Sequence, residues 1–303
     1  MGPLLLVTTL ALVAQAQAPP LPPLALAAFP ESARDRLTRL HREASTRPDD
    51  ARAVGTLGQW LHAWEQWDSA HQAYARAQAL DPQKFDWHYL DAVVLQRMGQ
   101  HDAAAARLER GLVLNPAYLP ARVKLAEVLF ETGDVRRSKS LFEALATEAT
   151  AAPAAQLGLG RIAAAQGRHE AAIAHLERAV ALFPEFGAAH YALVRLYRAA
   201  GRAADAALAL ERHARYGPRW PAIADPLVAA VSGLRQDALA VLQKGVRSAA
   251  AGDIEAAIAS HEAALRLDPS LVQAHANLLS LYGRVRNWAR ADTHYRAAVA
   301  AGY

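Results

Sequence analysis

Prolines recur on a fixed beat: Pro48, Pro82, Pro116, Pro184 and Pro218 stand 34, 34, 68 and 34 residues apart, with Thr150 in the slot that the double step skips. Glycines keep the same period at Gly99, Gly133, Gly167 and Gly201. Gly252 precedes Pro269 by the 17 residues that separate Gly99 from Pro116. Self-similarity at such a period means one supersecondary unit stacked many times, because a single unit cannot bury its own apolar face. Within each period, two apolar patches at helical spacing flank the glycine, and the proline closes the second. The units are therefore helix–turn–helix, in the register 51–84, 85–118, 119–152, 153–186 and 187–220, then 238–271 and 272–303.

Small residues occupy the slots where paired helices must approach closely. The first helices offer Leu57–Gly58, Leu125–Ala126 and Leu159–Gly160; the second helices offer Ala70, Ala104, Ala172 and Ala206. Four residues after each alanine comes a large apolar residue (Tyr74, Leu108, Leu176, Leu210), and Phe142 stands in the same slot four after Ser138; each fills the adjacent groove between helices. This pattern resembles the tetratricopeptide repeat family. Leu57, Gly58, Ala70, Tyr74, Ala77 and Pro82 match almost every family slot of one unit, and the resemblance spans roughly residues 32–303. The chain departs from the family where His88, His190 and His275 take the early Trp slot, and where the third unit lacks its closing proline. The expected fold class is all-α, a right-handed α-solenoid of about seven repeats with one inserted helix.

Two irregularities interrupt the register. Residues 32–46 are in phase with a second helix only, so the array begins on a half repeat that serves as a cap, ahead of a block that runs to 220. Residues 221–237 are an insert of half a period, about one extra helix, with Asp225–Pro226 as its start signal. Two repeats alone are too few for stability, so the 238–303 pair is expected to pack on the inserted helix and the first block. In the last unit, Trp288, Tyr295 and Val299 read either as core or as an open end for a second copy or a partner.

The first eighteen residues carry no charge. An apolar run from Leu4 to Val13 leads into Ala14, Ala16 and Ala18, the small-residue pattern of signal-peptide cleavage, although no Lys or Arg precedes the run. Residues 1–18 are read as a signal peptide and 19–31 as a stiff Pro-rich linker. The expected protein is exported, periplasmic or secreted, and has no integral membrane segment in its mature chain. Ala and Arg usage fits a GC-rich bacterial coding sequence.

Composition narrows the function classes. Lys+Arg exceeds Asp+Glu by 33 − 29 = 4 without a basic block, which argues against a nucleic-acid partner. The absence of cysteine removes thiolate metal sites, iron–sulfur clusters and thiol nucleophiles. Among twelve histidines no pair has metalloprotease spacing, and the recurring His88, His190 and His275 slot reads as packing. The Leu157–Gly158–Leu159–Gly160–Arg161 stretch lies inside a first helix with no preceding strand, so it is no phosphate loop. No catalytic grouping, cofactor or metal is expected. An enzyme site hidden at the insert, near Trp220, Asp225 and Arg235, is the remote alternative.

The resemblance implies that first helices line a concave groove for an extended partner segment. Side chains placed there are Gln59, His62, Tyr89, Arg97, Lys124, Glu127, Arg161, Tyr191, Arg195 and Arg198. A lining with five Lys or Arg residues and one acid favours an acidic peptide or a C-terminal carboxylate. The family's Lys–Asn clamp for such carboxylates is not reproduced. The expected function is a non-enzymatic protein–protein interaction scaffold of the cell envelope. The alternative is a structural assembly subunit that oligomerises or docks through its C-terminal end and inserted helix.

Overall fold

The computed structural model describes residues 18–302 except Gln236. The signal-peptide reading therefore falls, apart from Ala18, outside the described residues, as does Tyr303. Among the described residues the chain is an all-α solenoid without a strand. Helix α1 (Glu31–Thr46) stands alone. Five hairpins follow: α2 (Ala51–Ala63) with α3 (Trp67–Leu80), α4 (Phe85–Arg97) with α5 (His101–Leu114), α6 (Leu119–Glu131) with α7 (Val135–Leu145), α8 (Ala152–Ala165) with α9 (His169–Leu182), and α10 (Gly187–Ala199) with α11 (Ala203–Tyr216). A short α12 (Pro226–Ser232) precedes two further hairpins, α13 (Ala238–Ala250) with α14 (Ile254–Leu267) and α15 (Val272–Arg284) with α16 (Trp288–Ala300). Every first helix begins within one residue of the unit boundary read from the sequence.

The beat has a backbone cause. Each hairpin must reverse in a few residues, and the turn residue adopts left-handed φ, between 72° and 87° at Gly99, Gly133, Gly167, Gly201 and Gly252. In the first and last units the same slot holds Glu65 (φ 60°) and Arg286 (φ 58°), side chains that tolerate this region poorly. Helix starts are capped where the sequence supplies an acceptor: Asp50, Asp134, Asp225, Asp237, Asp253 and Asn287 each accept a backbone N–H from the first turn. The unit without a closing proline has the shortest second helix of the seven hairpins, α7, which stops at Leu145.

The core follows the small-and-large rule. Tyr74, Leu108, Phe142 and Leu176 are all buried; Leu176 packs on Gly160 of its own unit's first helix and Phe142 on Gly158 of the next. Leu210 breaks the expectation and is 42% exposed, because the insert follows α11 and no first helix covers it. His88, His190 and His275 share one bond: each Nε2 lies 3.1, 2.8 and 3.2 Å from the carbonyl oxygen of the turn proline six residues earlier, Pro82, Pro184 and Pro269. In α4, Asp91 is fully buried and gathers His71 Nδ1 at 2.6 Å, the Gln78 amide at 2.9 Å and Arg107 Nε at 3.0 Å, joining three helices.

The Pro-rich stretch read as a linker is docked instead. The Arg76 guanidinium donates to the Pro19 carbonyl at 2.6 Å, His41 meets the Pro22 carbonyl at 3.1 Å, and buried Phe29 sits edge-on to Trp64. Trp288, Tyr295 and Val299 are not core: they are 67%, 51% and 49% exposed. The last two hairpins approach the insert less closely than expected, with open cavities between α12 and α13.

Candidate binding groove

The first helices carry all ten predicted groove residues: Gln59 and His62 on α2, Tyr89 and Arg97 on α4, Lys124 and Glu127 on α6, Arg161 on α8, and Tyr191, Arg195 and Arg198 on α10. They fall into two groups. Arg97, Arg161, Tyr191, Arg195 and Arg198 are exposed, whereas Gln59, Lys124 and Glu127 are half-buried and His62 and Tyr89 buried.

The chain itself covers the second group. After α11 the backbone turns at Gly217 (φ 58°), packed so tightly on the start of α10 that a side chain at Gly187 would meet the Gly217 carbonyl oxygen at 1.8 Å. The Gly187 N–H donates to the Arg219 carbonyl at 3.3 Å, Arg219 pairs with Glu185, and Trp220 stands edge-on to Phe186 with ring centres 4.7 Å apart. From there residues 221–225 run without regular secondary structure back along the array. Pro221, Ile223 and Asp225 face Val123, Lys124 and Glu127 of α6 across a cavity of about 420 Å³, and Ile223 packs on the core that contains Val123. Tyr89 and Tyr118 then donate their hydroxyls to the two oxygens of Asp225, at 2.5 and 2.9 Å. The same carboxylate accepts the Val228 N–H at 3.2 Å and so starts α12. Leu227, Val228 and Val231 of α12 pack on the core formed by α2 and α4. The segment ends with Arg235 stacked over the Trp64 ring at 4.8 Å and directed at Glu65. The predicted insert helix therefore forms, starting at the expected Asp225–Pro226, but over seven residues only.

Within the exposed group Arg161 and Arg195 border open space, whereas Arg97 faces the inserted helix with His62, Val228 and Val231. A cavity of about 410 Å³ is lined by Phe130, Arg161, Ala164, His169, Arg195 and Ala199, among others. Arg161 is not a free cation: it donates to Glu131 at 2.8 Å and lies over the Phe130 ring at 4.8 Å.

Burial sets the protonation states beneath the crossing segment. Tyr89 and Tyr118 are pushed well above the ordinary phenol range, first by burial and then by their bonds to Asp225, so both remain donors. Burial raises Glu127 against the pull of Lys124 and Arg161. His62 is lowered to about 4, by burial and then by Arg97. A face with two fixed phenol donors and aliphatic ground on either side recognises an isolated carboxylate within an apolar stretch. No cluster of three metal-ligating side chains occurs among the described residues.

Tyr118 and the groove-side role of Asp225 were not among the predicted site residues. Tyr118 is the last residue of its unit and Asp225 reads as an ordinary cap. The available signal was the run of apolar residues Ile223, Leu227, Val228 and Val231 in an insert that has no neighbouring repeat to pack against.

Two family models described as tetratricopeptide repeat match the chain, one over residues 89–150 and again over 123–185, the other over 163–230. The Homo sapiens protein O-mannosyl-transferase TMTC3 is 27% identical over 267 residues, which are 86% of this chain and 27% of that protein. The chain thus spans about a quarter of that relative's length. Among solved structures, a MamA double mutant (MamA RS-1 ArsTM) is similar with a TM-score of 0.50 at 19% identity, over 55% of this chain and 93% of that one. PilF of Pseudomonas aeruginosa is similar with a TM-score of 0.48 at 15% identity, over 76% of this chain and 97% of that one. The MamA likeness is one of fold alone.

Proposed function

We propose that the chain, which carries tetratricopeptide repeats over residues 89–230, is a protein-binding scaffold of the cell envelope, periplasmic or secreted, which holds an extended segment of a partner protein along its first helices. One observation carries the reading: residues 220–225 of the same chain already cross this face without regular secondary structure, anchored where Asp225 accepts from Tyr89 and Tyr118. The open part, bordered by Arg161 and Arg195, is where a partner can enter without displacing anything. Its exposed guanidinium groups favour acidic residues. No step of this reading requires catalysis.

The test is a cross-linked capture from envelope extract with a chain starting at Pro19, the recovered proteins being identified by mass spectrometry. One partner recovered in near-equal amount, and lost on the double change Arg161→Glu and Arg195→Glu, supports the scaffold. Undiminished capture by the double variant removes the open groove from the reading.

A second reading has its own observation: the exposed Trp288, Tyr295 and Val299 on α16 offer an apolar face for assembly. On this reading only the bait is recovered, at a multiple of its mass, and Trp288→Ser with Tyr295→Ser returns it to the mass of one chain.

A further inference from the structure

We propose that residues 219–235 occupy the groove in place of a partner segment of the same chemistry. That segment is a short extended stretch with an aliphatic residue two positions before an Asp-Pro and aliphatic residues after it. Its carboxylate enters between Tyr89 and Tyr118. The inference rests on the groove reading above and names the kind of segment that the covered half selects.

The determinants sit on slots that the array presents to any ligand. Tyr89 lies mid-face on α4, and Tyr118 closes the same repeat beside it, their ring centres 4.9 Å apart. Both hydroxyls converge on one carboxylate, at 2.5 and 2.9 Å. Two phenol donors that stay protonated select an anionic acceptor over an amide and reject a cation. Lys124 beside them adds a positive charge on the same side. On either flank the ground is aliphatic: Ile223 packs on the core that contains Val123, and Leu227, Val228 and Val231 on the α2–α4 core.

The occupant is held by a few side chains only. Its helix has seven residues, too short to persist without its surroundings, and only Val231 of them is fully buried, with Ala229 and Ala230 exposed. Tethering at both ends nevertheless gives it an effective concentration of about millimolar, so a free peptide of equal intrinsic affinity is outcompeted. A partner engages this half only by exceeding that value, for instance by also anchoring on the open half at Arg161 and Arg195.

The experiment uses a fluorescein-labelled synthetic peptide with the sequence of residues 218–235 and the chain from Pro19 onward. In the released variant Asp225→Lys with Val231→Asp, the peptide binds at least about tenfold more tightly than to wild type. Adding Tyr89→Phe and Tyr118→Phe to the released chain, or Asp→Asn at position 225 in the peptide, removes that gain. Equal binding to wild-type and released chains, or no dependence on the two hydroxyls, overturns the proposal. So does a folded released variant that ignores the peptide, which makes the segment a fixed brace.

Should the released variant not fold, the wild-type background supplies the answer, because a chain without cysteine accepts a single spin label at Ala222→Cys. Peptide above about millimolar mobilises that label if the segment is displaceable, and an unchanged spectrum overturns the proposal. Failure here together with stoichiometric capture dependent on Arg161 and Arg195 leaves the scaffold reading standing. Failure of both removes the groove altogether.

Discussion

The Nε2 of His190 lies 2.8 Å from the carbonyl oxygen of Pro184, tying the start of a first helix to the turn that precedes it. His88 and His275 repeat the bond with Pro82 and Pro269. The ring thus does two things in the slot where the family places an indole: it fills the space, and it satisfies a carbonyl that proline geometry leaves outside the helix ladder. His190 is 1% exposed, so His190→Ala removes a buried ring and leaves that carbonyl unpaired. The expected loss is about 2 to 3 kcal/mol, read as a lower urea midpoint at unchanged slope. His190→Trp, the family's own residue, should recover part of it by volume alone.

Arg286 stands at φ 58° in the turn slot that glycine fills in five other units. Left-handed backbone disfavours a side chain by about 1 to 2 kcal/mol, and the greater unfolded-state freedom of glycine offsets part of this. Arg286→Gly should therefore stabilise the last hairpin by about 0.5 to 1 kcal/mol. Glu65→Gly relieves the same strain but loses the contact with Arg235 at 3.4 Å, so its gain should be smaller. Melting temperatures of the two variants, compared side by side, check both the sign and the order.

The repeat register was legible because it is local. Turn glycines, closing prolines and small-and-large slots lie within one period, and each acts on its neighbours alone. The destination of the insert was not legible, because Asp225 and Tyr89 are 136 residues apart and no periodicity couples them. Asp91 looked like any helix acid until three helices brought His71, Gln78 and Arg107 around it. Gly245 escaped notice although it holds the same slot as Gly58 and Gly160. It faces His261, whose ring would be 2.7 Å from any Cβ placed there. A histidine in the large apolar slot hid the match. Leu210, Trp288 and Tyr295 carried the residue types of a core and are exposed, since burial depends on whether another helix follows.

Asp91 anchors α3, α4 and α5 by accepting from His71, Gln78 and Arg107 while being fully buried. Asp91→Ala leaves a guanidinium, an imidazole and an amide facing the vacated site and should destabilise by about 3 kcal/mol, at the low end for a broken buried pair because both basic side chains are partly exposed. Asp91→Asn keeps an acceptor and should lose roughly half as much. A readout beyond stability is available. The bond to Asp91 raises the pKa of His71, so proton titration of that ring by NMR should fall toward the ordinary value in Asp91→Asn. A ring that titrates identically in both proteins would contradict the assigned bond.

Acid should weaken the first hairpin in particular. His62 is 7% exposed and titrates near 4 when folded, against 6.5 when free, so between those values the unfolded chain binds the extra proton. Stability attributable to this ring is complete above about pH 6.5 and is lost as pH falls toward 4, by on the order of 3 kcal/mol. His88, His175, His190, His261 and His294 are lowered, each first by burial, and act in the same direction. His71 acts oppositely: its pKa is raised, so its contribution is full below 6.5 and disappears as pH rises through the folded value. Six depressed rings against one raised ring predict a net loss of stability from pH 7 to pH 5. Urea unfolding at these two pH values measures that loss, and His62→Gln should make it smaller by the His62 share. A pH slope that His62→Gln leaves untouched would mean that the ring is solvated, and that the packing of α2 against Trp67 and Tyr74 is looser than the structure has it.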